Sequence, residues 1–304
     1  MFAPPEVITT EIFARLPENF RTLRPTAWSA ANRGGKPVAC FLEGPSFDRE
    51  GNLYVVDIPF GRIFRIGPDG VFHLVAEYDG EPNGLKIHKD GRIFITDYRN
   101  GIMQLDSASG ALSVLLDRKW SERLKGPNDL FFAANGDLYF TDQGQTGLHD
   151  PSGRVFRWQE GGRLEQLIGN VPSPNGLVMN VEENILYVAV TRANAVWRMP
   201  LMPDGTISKV GVFVQLSGSL GGPDGMALDV DGNLAVAHAG LGSVWIFSRI
   251  GEPLYRVRSS TGLFTTNVAY GGADGRNLYI TESETGTILR AGMRVPGKTM
   301  FSHR

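Results

Sequence analysis

Oxygen-bearing side chains recur at six places along this chain, at intervals of roughly 40 to 50 residues, each in a similar local phrase. They are Glu43 in Glu43-Gly-Pro-Ser, Asn83 in Pro82-Asn-Gly-Leu, Asn128 with Asp129 in Pro127-Asn-Asp-Leu, Asn175 in Pro174-Asn-Gly-Leu, Asp224 in Pro223-Asp-Gly-Met and Asn267 in Thr266-Asn-Val-Ala. None is His or Cys. Carboxylates and amides are the ligands that hard divalent cations require, calcium taking about 6–8 oxygens. A divalent metal site, calcium first and zinc, manganese or magnesium as alternatives, is the chemistry this set could perform. Taken singly, an Asn or Asp after Pro is an ordinary turn residue with a local hydrogen-bonding role. A turn is indifferent to whether Asn or Asp stands before its Gly, whereas a metal balancing its charge is not.

Such residues serve one site only if the fold brings them together, and a second phrase in each repeat says how it does so. Gly51-Asn-Leu-Tyr-Val-Val-Asp, Gly91-Arg-Ile-Phe-Ile-Thr-Asp, Gly136-Asp-Leu-Tyr-Phe-Thr-Asp, Asn184-Ile-Leu-Tyr-Val-Ala-Val, Gly232-Asn-Leu-Ala-Val-Ala-His and Arg276-Asn-Leu-Tyr-Ile-Thr-Glu are six copies of one strand. Tight-turn signals such as Lys89-Asp-Gly and Ala134-Asn-Gly precede several of them, and alternating third strands follow. The pattern predicts an all-β, six-bladed propeller occupying 1–304 as one domain, with blades over about 38–293. The last blade runs out of chain, so a strand within about 6–16 is expected to close the ring. Innermost strands of a propeller start near its axis, which is where these oxygen donors would converge. Residues 20–40 read as a loop across one face, and the tail after Arg294, having no pattern, is expected to fray.

Composition narrows the partners. The 304 residues are 42% hydrophobic and 20% charged, as in an ordinary globular protein, and 30 Lys plus Arg against 32 Asp plus Glu leave a formal charge of −2. That balance offers no electrostatic reason to expect nucleic acid or an anionic membrane. No apolar run approaches the roughly 20 residues needed to span a bilayer. The N-terminus lacks a basic start and apolar core, so the cytoplasm is the expected compartment. The single cysteine, Cys40, has no neighbouring His to activate it and reads as a packing residue. The Gly-x-Ser-x-Gly elbow, a phosphate loop and a dinucleotide fingerprint are all missing from the sequence.

Glu43-Gly-Pro, Pro127-Asn-Asp, Pro174-Asn-Gly and Gly222-Pro-Asp-Gly, in that order on consecutive repeats, resemble the senescence marker protein, gluconolactonase and luciferin-regenerating family. The resemblance runs from about residue 38 to 292. It implies a propeller with a central divalent metal, usually calcium, and hydrolysis of a small lactone, of the gluconolactone kind. By the same resemblance Glu43, Asn175 and Asp224 are metal ligands, Asn128 is a further ligand or substrate contact, and Asp224 is the base that activates water. Animal members carry Arg where Gly126 stands here, and the segment from Gly136 to Gly153 is nearer to bacterial gluconolactonases and drug-responsive lactonases. Two alternatives stay open: a related hydrolase of phosphotriesters or other esters, and a non-catalytic ligand-binding propeller. Oligomeric state is not legible.

Further residues near the expected mouth are Asn83, Gln143 and His149, read as substrate contacts. Asp142 matches Asp57 and Asp97 at the ends of equivalent strands and reads as blade packing. His238 ends the same strand of the fifth repeat, where a packed histidine outweighs a proton shuttle. Trp158, Trp197 and Trp245 recur on third strands and read as inter-blade core.

Overall fold

A computed structural model describes residues 2–106, 108–159 and 161–304. Six antiparallel sheets follow one another along the chain, each starting from an inner strand: Leu42–Phe47, Pro82–Ile87, Pro127–Phe132, Pro174–Met179, Gly222–Leu228 and Thr265–Gly271. Each inner strand packs against the next and the sixth packs against the first, which makes a six-bladed propeller. The cores lie between blades: Leu42, Val55 and Phe64 of blade 1 pack with Tyr279 and Ile288 of blade 6, and all but Tyr279 are fully buried. Burying a side chain of that size contributes about 1.5–3 kcal/mol, so the ring is held mainly by apolar contact between neighbouring sheets.

The N-terminal segment closes the ring, but as two strands rather than one. Glu6–Thr9 adds in parallel to the outer strand Pro253–Arg258 of blade 5, and Glu11–Arg15 pairs antiparallel with Thr287–Gly292 as the outer strand of blade 6. The break falls at buried Thr10, whose N–H and hydroxyl both donate to the Arg258 carbonyl at 3.0 and 3.1 Å. One short segment therefore ties two blades together.

A repeated hydrogen bond sets where four of the inner strands begin. At the end of the second strand, Asp57, Asp97, Asp142 and Glu282 accept the N–H of Phe41, Glu81, Gly126 and Phe264 at 2.8, 3.0, 2.9 and 2.9 Å. Asp142 is fully buried and also accepts from Arg154 Nε at 2.7 Å, as its packing role predicts.

Two expectations are corrected. The segment over 20–40 is not simply a loop. It contains the helix Ala27–Asn32, capped by Thr26 and Ser29 in a reciprocal pair and anchored by buried Trp28 against Phe41, ring centroids 4.7 Å apart. The tail is docked, not frayed. Val230 N–H donates to Pro296 O, Lys298 N–H to Leu228 O, and Ser302 Oγ to Phe47 O. Phe301 is buried beside Phe132 and His88, centroids 5.3 and 4.9 Å away. Aromatic burial rather than a strand pattern orders this segment, so periodicity could not reveal it.

Candidate active site

In every blade the pairing of inner and second strand slips at the same place: between Glu43 and Ser46, Pro82 and Leu85, Pro127 and Leu130, Pro174 and Leu177, Pro223 and Met226, and Thr265 and Asn267. A bulge breaks the alternation of a strand and re-aims a side chain. Read from sequence as turns, the Pro-Asn-Gly phrases are instead the bulged first residues of inner strands. Proline is tolerated there because it need not donate to the ladder. Glycine is needed because the strands crowd the axis: a Cβ on Gly176 would lie 2.4 Å from the Asp224 carbonyl oxygen, and one on Gly225 would lie 2.0 Å from Asn267 Cγ.

Around the axis the bulges bring Glu43, Asn83, Asn128, Asn175 and Asp224 to one cavity of about 220 Å³. Glu43, Asn128 and Asn175 are buried, and Asp224 is half-buried, open to the cavity but enclosed elsewhere. Just behind lie two more axial groups, Asp129 and Asn267, both buried. Asn267 Nδ2 donates to Glu43 Oε2 at 2.8 Å and to Asp129 Oδ2 at 3.4 Å. Burial, then repulsion from Glu43 and Asp129, raises the Asp224 pKa well above the carboxylate range, opposed by the Asn175 amide and the Arg192 charge. Burial likewise raises Glu43, against the Gly44 N–H that donates to it at 2.7 Å. Carboxylates crowded in this way are poised to accept a positive charge.

The donor set fits a hard divalent cation. Asn128 Oδ1 is buried without a hydrogen-bond partner, an oxygen that ordinarily would not be left so. Its amide is held from behind, Nδ2 donating to Gln143 Oε1 at 3.0 Å while Gln143 Nε2 donates to Ser173 Oγ at 2.9 Å. In that network the Asn128 amide turns its oxygen away from Gln143. Among the described residues no three His, Cys, Asp or Glu side chains form a metal-holding group, so two carboxylates would need the amide oxygens of Asn128 and Asn175 to complete a ligand set.

Other residues named from sequence divide. Gln143 and Asn83 line the cavity; His149 sits on an exposed loop and does not. His238 is fully buried, with Trp245 Nε1 donating to its Nδ1 at 3.1 Å and Asn194 Oδ1 3.1 Å from its Nε2. Because the indole only donates, Nδ1 is the acceptor and the ring is neutral, with its proton on Nε2. Cys40 is buried, its thiol pushed up to about 12 by burial, and is a packing residue. Trp28, Arg33, Phe41, Tyr98, Arg192 and Phe264 also line the cavity and were not singled out from sequence as site residues. One signal could have found part of this wall. Ile58, Tyr98, Gln143, Thr191 and Ala239 all line it, and each stands one step after the second-strand position of Asp57, Asp97, Asp142, Val190 or His238.

Residues 41–284 match the SMP-30/Gluconolactonase/LRE-like region. The chain is 30% identical to the lactonase drp35 of Staphylococcus aureus over 226 residues, 71% of this chain and 69% of that protein. It is 30% identical to a gluconolactonase of Zymomonas mobilis over 272 residues, 79% and 76% of the two chains. Its fold is similar to that of a calcium-binding protein, regucalcin, from Agrobacterium tumefaciens, with TM-score 0.80 and 21% identity over 99% of this chain and 100% of that one. With four fifths of its length matched and its inner-strand phrases on one cavity, the chain belongs to the SMP-30/gluconolactonase/LRE-like family.

Proposed function

We propose that this chain is a metal-dependent carboxylic-ester hydrolase that opens the ring of a small lactone, with Glu43, Asn128, Asn175 and Asp224 holding a divalent cation, calcium first. Membership of a family whose matched relatives are named lactonase and gluconolactonase supports lactone hydrolysis. The observation that carries the metal is the buried, unpartnered Asn128 Oδ1 beside Glu43 and Asp224. The regucalcin with the similar fold is a calcium-binding protein, which accords with that choice of ion.

A cation bound there supplies positive charge to offset the negative charge that builds on a lactone carbonyl oxygen during attack. The chain's own residues do the rest. Asp224, facing the cavity, takes a proton from water as the water oxygen bonds to the carbonyl carbon. Cleavage of the ring C–O bond then leaves an alkoxide that takes the proton back, giving a hydroxy acid. A bound cation would lower the basicity of Asp224, whereas burial and the neighbouring carboxylates raise it. Asn267 and Gly44 orient Glu43, and Gln143 orients Asn128. Trp28, Phe41 and Phe264 form an apolar wall that limits water around the reacting atoms. Asn83 and Gln143 are the proposed substrate contacts within the cavity.

The test is a panel of gluconolactone, other aldonolactones, butyrolactones and a phosphotriester, assayed after chelation and after re-addition of calcium, zinc, manganese or magnesium. Lactone turnover that disappears on chelation and falls by about 10²–10⁴ in Asp224→Asn is expected. Full activity in that variant, or turnover of the phosphotriester alone, overturns the reading.

A further inference from the structure

Two arginines, Arg33 and Arg192, line the cavity, and they are not equivalent. Arg33, just after the helix Ala27–Asn32, is spoken for: its Nη1 lies 3.0 Å from Glu284 Oε1, and its face covers the Phe264 ring at 4.2 Å and Phe41 at 5.0 Å. It is a fixed, neutralised part of the wall. Arg192 lines the same cavity from blade 4 and is exposed, and no hydrogen bond or ion pair engages its guanidinium among the described residues. It shares that cavity with Asp224, the proposed base.

The backbone beneath Arg192 is held firmly. It occupies the middle of the turn Thr191–Ala193, where Thr191 Oγ1 donates to Pro223 O at 2.8 Å. The turn ends at Asn194 in a left-handed conformation, φ 50°, with its side chain tied to Gly218 O and His238. Its stem passes Gly147, Cγ 3.6 Å from where a Cβ on that glycine would sit, an ordinary contact distance.

A cavity of about 220 Å³ admits one molecule the size of a sugar lactone. A neutral sugar presents only hydroxyls to an uncompensated guanidinium at its edge, whereas a carboxylate matches the planar fork with two parallel charge-assisted hydrogen bonds. We infer that Arg192 is a specificity residue that anchors a carboxylate on the substrate, so that the preferred lactone is that of a sugar dicarboxylic acid and the product is a dicarboxylate. This inference rests on the lactone-hydrolase reading above.

The full chain with calcium is assayed on saccharolactone, which carries a carboxylate, on gluconolactone, which does not, and on phosphorylated gluconolactone, as wild type, Arg192→Ala and Arg192→Lys. Binding of open-chain glucarate is measured on the same three proteins by calorimetry. The ratio of kcat/KM for saccharolactone to that for gluconolactone is expected to fall about 10- to 100-fold in Arg192→Ala, mainly through KM, and to recover in part in Arg192→Lys. Glucarate affinity should fall with it. A ratio that moves less than about threefold, below the worth of one charged hydrogen bond, overturns the inference. So does a larger loss on phosphorylated gluconolactone than on saccharolactone. If neither lactone is hydrolysed while glucarate binding still depends on Arg192, the hydrolase reading falls and the anion anchor stands.

Discussion

The Asn267 amide donates a 2.8 Å hydrogen bond to Glu43 Oε2, joining the sixth inner strand to the first across the seam where the ring closes. The bond does two things at once. It orients a carboxylate for the cavity, and it registers the blade completed by the N-terminal strand against the blade that begins the ring.

Removing that amide should loosen the site without unfolding the protein. Asn267→Ala leaves Glu43 and Asp129 close together with no donor between them. Loss of a residue that orients a metal ligand typically costs 10- to 100-fold in metal affinity, so calcium binding in a calorimetric titration is expected to weaken by about that factor. Unchanged affinity would mean that Glu43 is positioned by Gly44 and packing alone.

Glycines at the axis should be intolerant for a steric reason. Gly225→Ala places a methyl 2.0 Å from Asn267 Cγ and Oδ1, whereas Gly211→Ala meets nothing within 4 Å. Overpacking of this kind costs about 1–3 kcal/mol, read as a lower urea midpoint for Gly225→Ala against little change for Gly211→Ala. Equal midpoints would show that the inner strands have slack.

Acid should act through His238. Burial holds its pKa down to about 4 from 6.5, so the unfolded chain binds the proton more readily than the folded one. Stability from the neutral ring is complete above 6.5 and is lost as pH falls toward 4. The advantage of wild type over His238→Gln in urea denaturation is therefore expected to shrink on acidification, by on the order of 3 kcal/mol at most. A pH-independent difference between the two would contradict a buried neutral imidazole.

The docked tail should be a measurable part of the fold. Phe301→Ala empties a site lined by Phe132 and His88 and is expected to cost about 3–5 kcal/mol in denaturant titration. A loss below about 1 kcal/mol would place the tail outside the cooperative unit.

Much of the architecture was legible because it is written as repetition. Six copies of a Tyr- and Val-rich strand announce six blades, and the short last repeat announces closure from the N-terminus. The axial donors were legible for the same reason, since equal positions in equal repeats must meet at the axis. What could not be read are the roles of groups outside the repeated phrases: Arg33 and Trp28 on the segment over 20–40, Arg192 on a blade-4 turn, and Phe301 in the tail. Each is placed by packing against residues distant in the chain.

By itself, then, the sequence determined the ring and the chemical character of its axis, because strand alternation and an oxygen-only donor set are local properties. Only the tertiary structure decided how those donors face the cavity. The bulge at the head of each inner strand, the Asn267 bridge and the unpaired Asn128 oxygen exist only once six strands are brought within contact of one another, where a missing Cβ or a shifted register turns a side chain toward its neighbours or into open space.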